Sequence, residues 1–422
     1  MPDKYTLQLK NFRSIREAEI DIAPLTVVYG PNGSGKSSLI YGLLTLKNFL
    51  TEPNRNLPGL FSYPGISLGG HDEVVFNHLN DETIEVSLSF SLRNWYRARF
   101  TLGVSESGGK SAIYVCEKHR EGENRAEITL GIPFPYHVDQ SDSANTYVTW
   151  MADFDGYEEE AFTEVSIGWD GVNLSIEDNK YDRGHEAVSK FVERTNSLME
   201  SAKSTYFVPL WRGFMVPEYD DVYEKNMLSS DAEVAAMVAD ARNLEYQVSR
   251  YMEQVTGRQF RARMQRGSSK FNIDAIPNSR DTPSSIVNDG FGVNQVAYML
   301  TVALYDKAKI VLIEEPEIHL HPSMVRKLVH ALTDIALNND RRFVISTHSE
   351  TFVVALLAQI AAGKIGVDDV SFIFADKEDG ESKFTKQEAK SNGQIQGGLE
   401  SFIAAEMEDM AVFFNVVQEE ED

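Results

Sequence analysis

The first thirty residues alternate between apolar and polar positions in short runs at Leu7–Leu9, Ala18–Ile22 and Leu25–Tyr29. Turn-forming residues separate these runs, and this spacing predicts a three-stranded β-meander that leads into a glycine-rich loop. After that loop, the segment SSLIYGLLTLKNFL has apolar residues at helical intervals. This periodicity predicts an amphipathic helix directly behind the loop.

The middle of the chain has a weaker pattern. Thr83–Phe90 and Ala98–Val104 alternate like half-buried strands, whereas 106–204 is predicted as an inserted region of strands and loops. An acidic run at 153–160 within it is most simply a hydrated surface. Apolar residues at helical spacing predict one helix over Asp231–Val255, with Asp231 as its N-cap. Basic and apolar residues then alternate around Gly267, which predicts a hairpin.

The last third of the chain alternates between strand and helix patterns. The apolar runs KIVLI, RRFVI and VSFIF are predicted strands, and the segments Met324–Leu337 and Thr351–Ala361 are predicted helices. Such alternation predicts a parallel sheet with helices on its faces. The fold class is therefore α/β, with a mixed or parallel main sheet, an N-terminal antiparallel β part and an inserted α/β region. We place the boundaries at 1–105, 106–284, 285–385 and 386–422, the last being a helical and acidic tail.

Composition excludes several classes of protein. The 422 residues include 64 acidic and 40 basic side chains, so the formal net charge of −24 opposes general adhesion to nucleic acid or anionic lipid. Cys116 is the only cysteine, which excludes an internal disulfide and a Cys-x-x-Cys zinc site. The N-terminus lacks a signal-peptide core, and apolar stretches fall short of the roughly 20 residues needed to span a bilayer. We therefore expect a cytoplasmic protein without a membrane partner.

The glycine-rich loop has the spacing of a phosphate-binding loop. GPNGSGKS matches G-x-x-x-x-G-K-[ST] at every defined position, between a predicted strand and a predicted helix. Backbone N–H groups of such a loop and the helix N-terminus bind phosphates, which predicts a nucleotide ligand, and we expect ATP. Lys36 would contact the β- and γ-phosphates, and the Ser37 hydroxyl would bind Mg²⁺. The predicted nucleotide-binding residues are Gly30, Pro31, Asn32, Gly33, Ser34, Gly35, Lys36, Ser37 and Ser38.

Acidic residues and a histidine follow two of the predicted strands. Glu314 and Glu315 end the strand IVLI, where open α/β sheets bind their ligands. We predict that Glu314 joins the Mg²⁺ shell and that Glu315 orients the attacking water. His348 follows the strand RRFVIST and is predicted to contact the γ-phosphate. His319 and His321 could suggest a metal site, but a third ligand is not apparent and catalytic zinc needs three protein ligands.

The motifs LQLKNFRSI, LTVVYGPNGSGKSSL, IVNDGFGVNQVAYML, IEEPEIHLHP and STHSE occur in the order found in ABC-type ATPases of the OLD/RecF/SMC group. The chain resembles compact prokaryotic members of that group over 4–50, weakly over 66–78, and over 285–380, without their coiled coils or Toprim domains. The resemblance implies an ABC-ATPase head that forms a homodimer or a higher homo-oligomer. It also implies that a signature loop at Gly290–Gln295 caps the γ-phosphate of the partner subunit. The additional nucleotide-binding residues that it implies are Arg13, Gly292, Asn294 and Gln295.

Two functions are compatible with these motifs. The resemblance favours an ATP-driven switch or scaffold for a separate effector, such as a nuclease, in prokaryotic defence against bacteriophage. The alternative is a RecF-like repair or loading ATPase that acts directly on DNA, through the basic residues Arg258, Arg261, Arg263, Arg266 and Lys270. Those residues could equally line a solvated hairpin without a ligand. Asp376, Glu378 and Asp379 could imitate nuclease metal ligands, although hydrated turn residues are the simpler interpretation.

Overall fold

A computed structural model describes residues 4–52, 55–92, 96–118, 124–134, 146–152, 161–169, 173–176, 183–220, 230–278 and 282–395. The strands are β1 (Lys4–Phe12), β2 (Ile15–Ile22), β3 (Leu25–Tyr29), β4 (Ser62–Tyr63), β5 (Ile66–Ser67), β6 (Ile84–Leu92), β7 (Tyr96–Ser105), β8 (Gly108–Lys118), β9 (Asn124–Phe134), β10 (Thr146–Ala152), β11 (Ala161–Trp169), β12 (Leu174–Ile176), β13 (Thr205–Val208), β14 (Tyr219–Asp220), β15 (Arg258–Met264), β16 (Lys270–Pro277), β17 (Ser284–Ser285), β18 (Ile310–Glu314), β19 (Arg342–Thr347), β20 (Val370–Glu378) and β21 (Glu381–Gln387).

The α-helices are α1 (Lys36–Thr51), α2 (Leu57–Leu60), α3 (His71–Val74), α4 (Arg183–Lys203), α5 (Asp231–Asp240), α6 (Arg242–Thr256), α7 (Phe291–Leu304), α8 (Pro322–Asn338) and α9 (Glu350–Ala361). The predicted acidic run at 153–160 and most of the predicted tail, 396–422, lie outside the described residues, as does the side chain of Cys116. None of the described helices combines the length and the apolar composition that crossing a membrane requires.

The main sheet has the strand order β13-β18-β19-β3-β20-β21. Neighbours pair in parallel from β13 to β20, and β21 adds an antiparallel edge. Every residue of β3, β18 and β19 is buried, as expected for parallel strands with both faces covered. The predicted α/β fold with a mixed sheet is confirmed, and the carboxyl ends of β3, β18 and β19 meet at one edge.

The antiparallel sheet has the order β2-β1-β6-β7-β8-β9. Strands β1 and β2 form a hairpin here, but β3 leaves it for the main sheet, so the predicted three-stranded meander is wrong. The reason lies in the side chains: β1 alternates between buried and more exposed positions, whereas LTVVY of β3 is buried on both faces. A strand without a polar face is stable only in the interior.

Helix α1 lies between the two sheets. Its residues from Ser38 to Leu50 are all buried, and they share one core with the antiparallel sheet, with α4 and with one face of the main sheet. The prediction of an amphipathic helix is therefore wrong, because both sides of α1 are covered. A second core fills the other face of the main sheet, beneath α5 to α9.

The predicted inserted region contributes strands to both large sheets. Strands β8 and β9 extend the antiparallel sheet, and β13 forms an edge of the main sheet. The sequence pattern did not reveal α4. The helix predicted over Asp231–Val255 is interrupted at Ala241, and Ser230 caps α5 through a capping box with Glu233. Asp231 is not the N-cap, since its carboxylate accepts hydrogen bonds from Tyr219 and from the N–H of Met215. The hairpin around Gly267 is present as β15 and β16.

Candidate active site

The glycine-rich loop connects β3 to α1 and is shaped by close backbone approaches. Gly30 has φ of 148°, and a Cβ atom there would lie 2.0 Å from the carbonyl oxygen of Ala375. Gly35 has φ of 97°, and a Cβ atom there would lie 2.2 Å from Oγ of Ser382. Glycine is required at both positions because a side chain would meet β20 or β21. The loop therefore leads directly into the N-terminus of α1, a position that favours an anion.

Lys36 is the first residue of α1 and is buried. Its Nζ donates to the carbonyl oxygens of Gly30 and Pro31, both at 2.9 Å, so the ammonium group lies inside the loop. Burial lowers the pKa of Lys36, while the carboxylates of Glu315 and Glu317 act in the opposite direction. The cation therefore lies within electrostatic range of the acids that follow β18.

Glu314 ends β18 and is only 5% exposed. Burial raises the pKa of its carboxyl group, and hydrogen bonds from the hydroxyl groups of Ser37 and Tyr41 and from the N–H of Leu210 oppose that shift. The predicted pair of Mg²⁺ residues, Ser37 and Glu314, thus lies close enough for the Ser37 hydroxyl to lower the pKa of the Glu314 carboxyl group. Hydroxyl and carboxylate oxygens are suitable ligands for Mg²⁺, so this donor set fits the ion that the sequence predicts.

Glu315 and His348 are also in contact. Oε2 of Glu315 forms a short hydrogen bond with Nδ1 of His348 and accepts from the His348 N–H at 3.2 Å. The N–H of Glu315 donates to the carbonyl oxygen of Ser346 at 2.8 Å, which joins the ends of β18 and β19. The structure therefore brings together the two residues predicted for water orientation and phosphate contact.

The chain matches the family described as "AAA ATPase domain" over residues 5–353. It belongs to that family. The protein is accordingly a nucleotide-binding enzyme that hydrolyses ATP, and the predicted P-loop ATPase is confirmed. A comparison with curated proteins finds no match.

Similar solved structures are heads of SMC proteins. The "SMC head domain from Thermotoga maritima" has 12% identity and a TM-score of 0.42, covering 91% of this chain and 98% of that one. A head from Pyrococcus furiosus with an extended coiled coil, bound to the C-terminal domain of ScpA, has 13% identity and a TM-score of 0.47, covering 97% and 100%. An "SmcHead bound to the C-winged helix domain of ScpA" has 15% identity and a TM-score of 0.47, covering 91% and 97%.

Glu317 is a residue of this ATPase site that the sequence analysis missed. Its Oε1 accepts from Oγ1 of Thr347 at 2.6 Å and from the N–H of His348 at 3.2 Å. Burial raises the pKa of Glu317 well above its usual range, and the neighbouring Glu315 adds to the shift. The signal was available in the sequence, since the motif IEEPE places a third acid two residues after Glu315.

Arg212 is a second residue that the sequence analysis missed. It is 1% exposed and donates to the carbonyl oxygens of Pro209, Glu314 and Glu315 at 2.9, 2.5 and 2.7 Å. Burial lowers its pKa to about 10, opposed by Glu317, Glu314 and Glu315, so the guanidinium stays charged at neutral pH. The sequence gives no direct signal for it, because Arg212 lies about a hundred positions before Glu314.

Arg13 lies beside the site of this ATPase. Its guanidinium carbon is 5.2 Å from the ring centroid of Tyr41, whose hydroxyl group is close enough to Glu314 to lower the pKa of its carboxyl group. The backbone of Arg13 has φ of 55°, and its N–H donates to the carbonyl oxygen of Val74 at 2.6 Å. Tyr41 therefore lies between the Arg13 side chain and Glu314, one of the predicted Mg²⁺ ligands.

Two residues of the predicted signature loop face the interior of the chain. The Asn294 amide is 3% exposed; it accepts from the N–H of Phe214 at 2.7 Å and donates to that residue's carbonyl oxygen at 2.8 Å. Gln295 is 1% exposed. Both side chains are therefore buried within this chain, and their contact with a nucleotide on a partner subunit stays a prediction. Gly290 and Phe291 are exposed, and a Cβ atom at Gly292 would lie 2.7 Å from the carbonyl oxygen of His319.

Most of the predicted DNA-binding residues are paired with acids. The ion pairs are Arg258–Asp289 at 2.5 Å, Arg261–Glu245 at 3.9 Å, Arg263–Asp274 at 2.9 Å and Lys270–Glu218 at 2.7 Å. Arg266 lies at the turn of the same hairpin. The cationic charge of this hairpin is therefore largely neutralised within the chain.

The remaining predicted clusters are dispersed. The ring of His319 packs against Phe291 with centroids 5.0 Å apart, and Nδ1 of His321 caps α8 by accepting from Ser323. Asp376 and Glu378 are exposed near the end of β20, and Asp379 is exposed in the turn that follows it. Within the described part of the chain, the only group of three that could hold a metal ion is Glu315, Glu317 and His348.

Proposed function

We propose that this ATPase is a switch in which two copies close around ATP and separate after hydrolysis. The observation that carries the proposal is the hydrogen bond of Glu315 with His348, next to Glu314, whose carboxyl pKa is raised by burial and lowered by the Ser37 hydroxyl of the phosphate-binding loop. The groups proposed to bind phosphate, to bind the metal ion and to orient the water would thus act at one edge of the main sheet. Exposed Gly290 and Phe291, at the start of α7, are the surface through which a second copy would complete the site.

ATP would bind with its phosphates in the loop Gly30–Ser38. Lys36 would transfer its hydrogen bonds from the carbonyl oxygens of Gly30 and Pro31 to the β- and γ-phosphates. Arg13 is close enough to the Tyr41 side of the site to add a second cation. A bound Mg²⁺ would neutralise phosphate charge, and Ser37 and Glu314 are the residues that would hold it, Glu314 through water.

Glu315 would orient and polarise the water that attacks the γ-phosphate. His348 would report the presence of that phosphate, because its imidazole contacts the Glu315 carboxylate and its side chain is 47% exposed. Phosphoryl transfer depends mainly on positioning and charge, which these groups supply.

We further propose that the switch controls a separate effector, such as a nuclease acting in defence against bacteriophage. This part of the proposal is supported by the resemblance of the motifs alone. An ATPase acting directly on DNA receives no support from the β15–β16 hairpin, since its cations are paired with acids of the same chain.

The decisive experiment uses Glu315→Gln. We expect ATP binding to be retained while turnover falls roughly 100- to 10,000-fold, the range associated with losing a general base. Size-exclusion chromatography with ATP and Mg²⁺ should then show a trapped dimer, and Lys36→Ala should remain monomeric. The assignment is wrong if Glu315→Gln hydrolyses ATP at the parent rate. If it binds ATP without forming a dimer, the switch mechanism fails while the catalytic assignment stands.

Trapped protein also tests the effector. Glu315→Gln with ATP, used as bait in a lysate of its source cells, should retain one partner protein that Lys36→Ala does not retain. Identification of that partner as a nuclease would support the defence function. Retention by both variants alike would show that the interaction does not depend on the switch.

A further inference from the structure

The backbone of Glu315 adopts a conformation that glutamate rarely takes. Its φ is 44°, in the left-handed region, where a side chain bearing a Cβ atom is disfavoured. Such conformations persist at functional sites only when the surrounding contacts determine them. The contacts around Glu315 therefore indicate which other residues the reaction depends on.

One set of contacts holds the main chain. The guanidinium of Arg212 donates to the carbonyl oxygens of both Glu314 and Glu315, at 2.5 and 2.7 Å. On the other side, the N–H of Glu315 donates to Ser346 at 2.8 Å. Arg212 is 1% exposed, so water does not compete for these hydrogen bonds.

A second set of contacts holds the side chain through His348. The N–H of His348 is shared between Oε2 of Glu315 and Oε1 of Glu317, at 3.2 Å in each case. The same oxygen of Glu317 accepts from Oγ1 of Thr347 at 2.6 Å. Glu317 thus holds the peptide that presents His348, and the His348 imidazole in turn contacts Oε2 of Glu315.

We propose that Glu317 and Arg212 are positioning residues for ATP hydrolysis: Arg212 holds the main chain of Glu315, and Glu317 holds the Thr347–His348 segment against its carboxylate. Neither residue needs to touch the nucleotide. The inference rests on the proposed role of Glu315 as the residue that orients the attacking water. Loss of either residue should lower turnover while leaving ATP binding in place, because the phosphate-binding loop keeps its own contacts.

A different role for Glu317 would be that of a metal ligand. The ligand atoms of Glu315, Glu317 and His348 lie within 4.8 Å of one another. The ammonium group of Lys36 is an electrostatic neighbour of both glutamates, which disfavours a further cation there. Glutamine can separate the two roles, since it keeps the accepting oxygen for Thr347 and His348 but is a poor ligand for a divalent cation.

The test compares Glu317→Gln, Glu317→Leu, Thr347→Val and Arg212→Lys with exposed controls on α4, Glu193→Gln and Glu193→Leu. Steady-state ATPase kinetics, binding of ATP, Mg²⁺ titration and thermal melting are measured on each. We expect kcat to fall by roughly tenfold or more in Glu317→Leu with KM within about threefold, the pattern of an interaction made only in the transition state. Glu317→Gln should stay within about threefold of the parent kcat.

A double-mutant cycle then tests the connection to Thr347. Thr347→Val should reduce kcat, and the double variant should lose less than the product of the two single losses, because the hydrogen bond from Thr347 to Glu317 is removed by both changes. Arg212→Lys cannot donate to both carbonyl oxygens at once and should also lower kcat without weakening ATP binding.

Three results would overturn the proposal or redirect it. Unchanged kcat in Glu317→Leu excludes the positioning role, and if that variant fails to fold, unchanged kcat in Thr347→Val excludes it instead. Equal loss in Glu317→Gln and Glu317→Leu, with a shifted Mg²⁺ dependence, makes Glu317 a metal ligand and refutes positioning. Normal ATP hydrolysis by Glu315→Gln would refute the proposed role of Glu315 itself. If Glu315→Gln is inactive but Glu317→Leu is fully active, the role of Glu315 stands and only the positioning role of Glu317 is refuted.

Discussion

Two charged regions of this ATPase differ in how their charges are neutralised. In the β15–β16 hairpin, four cations each pair with an acid of the same chain. At the carboxyl edge of the main sheet, Lys36 and Arg212 instead donate to backbone carbonyl oxygens, and burial raises the pKa of both Glu314 and Glu317. Buried groups with strongly shifted pKa values are typical of functional sites. The comparison shows that the partners of a charged cluster, rather than its composition, distinguish a site from a surface.

The largest expected effect comes from removing the cation at the sheet edge. Lys36→Ala should weaken ATP binding by roughly 100-fold or more, because a charged donor to two phosphates is lost. Isothermal titration with ATP and Mg²⁺ measures this, and exposed Lys364→Ala is the matched control. If Lys36→Ala and Lys364→Ala bind ATP with equal affinity, Lys36 does not contribute to nucleotide binding. The sheet edge would then not differ from the hairpin as a binding site.

A smaller effect is expected from Asn294, which the sequence places at the nucleotide and the structure places in the core. Asn294→Ala leaves the N–H and carbonyl groups of Phe214 without partners. The free energy of unfolding should fall by roughly 1–3 kcal/mol, while kcat of the folded protein changes little. Urea unfolding and ATPase assays measure the two quantities, with exposed Asn288→Ala as control. Lost hydrolysis at unchanged stability would restore the role that the sequence predicts.

Tyr41 provides a still smaller test of the sheet edge. Tyr41→Phe removes the hydroxyl group that lowers the pKa of the Glu314 carboxyl group but keeps the ring that stacks on Tyr63 at 5.4 Å. The Mg²⁺ concentration for half-maximal ATPase activity should rise about fivefold, as expected for a contact near 1 kcal/mol. Tyr246→Phe, at an exposed position, is the control. An unchanged Mg²⁺ dependence would show that Ser37 and Leu210 are sufficient to orient Glu314.

Local patterns predicted the parts of the site that follow from a short segment. GPNGSGKS, the acids after β18 and the histidine after β19 are each defined by neighbours in sequence, and the structure brings them together. Arg212 could not be predicted, because its role follows from tertiary burial against β18. The roles of the two sides of α7 could not be predicted either. Residues from Val293 to Leu304 are all buried, so the apolar periodicity does not distinguish a side that contacts a ligand from a side that contacts Phe214.

Strand β13 shows the same limit for the fold. TYFV is only four residues long, and nothing around it identifies it as an edge of the main sheet. Its pairing with β18 depends on a partner about a hundred residues further along the chain. Sequence reasoning therefore recovers strands with strong local signals, such as β18, and misses those defined by a distant neighbour.

The smallest effect is expected in the hairpin. Arg261→Ala with Arg266→Ala removes two exposed cations, and exposed ion pairs contribute little to stability. Binding of double-stranded DNA at low salt should stay within about twofold of the parent and show no steep salt dependence, because the remaining cations are paired with acids. Fluorescence anisotropy across a salt series measures this, with Arg97→Ala as an exposed control on β7. DNA binding by the parent that depends steeply on salt, with a smaller dependence in the double variant, would show that the cations of the hairpin leave their acidic partners to contact DNA phosphates. The two charged regions would then both be binding sites.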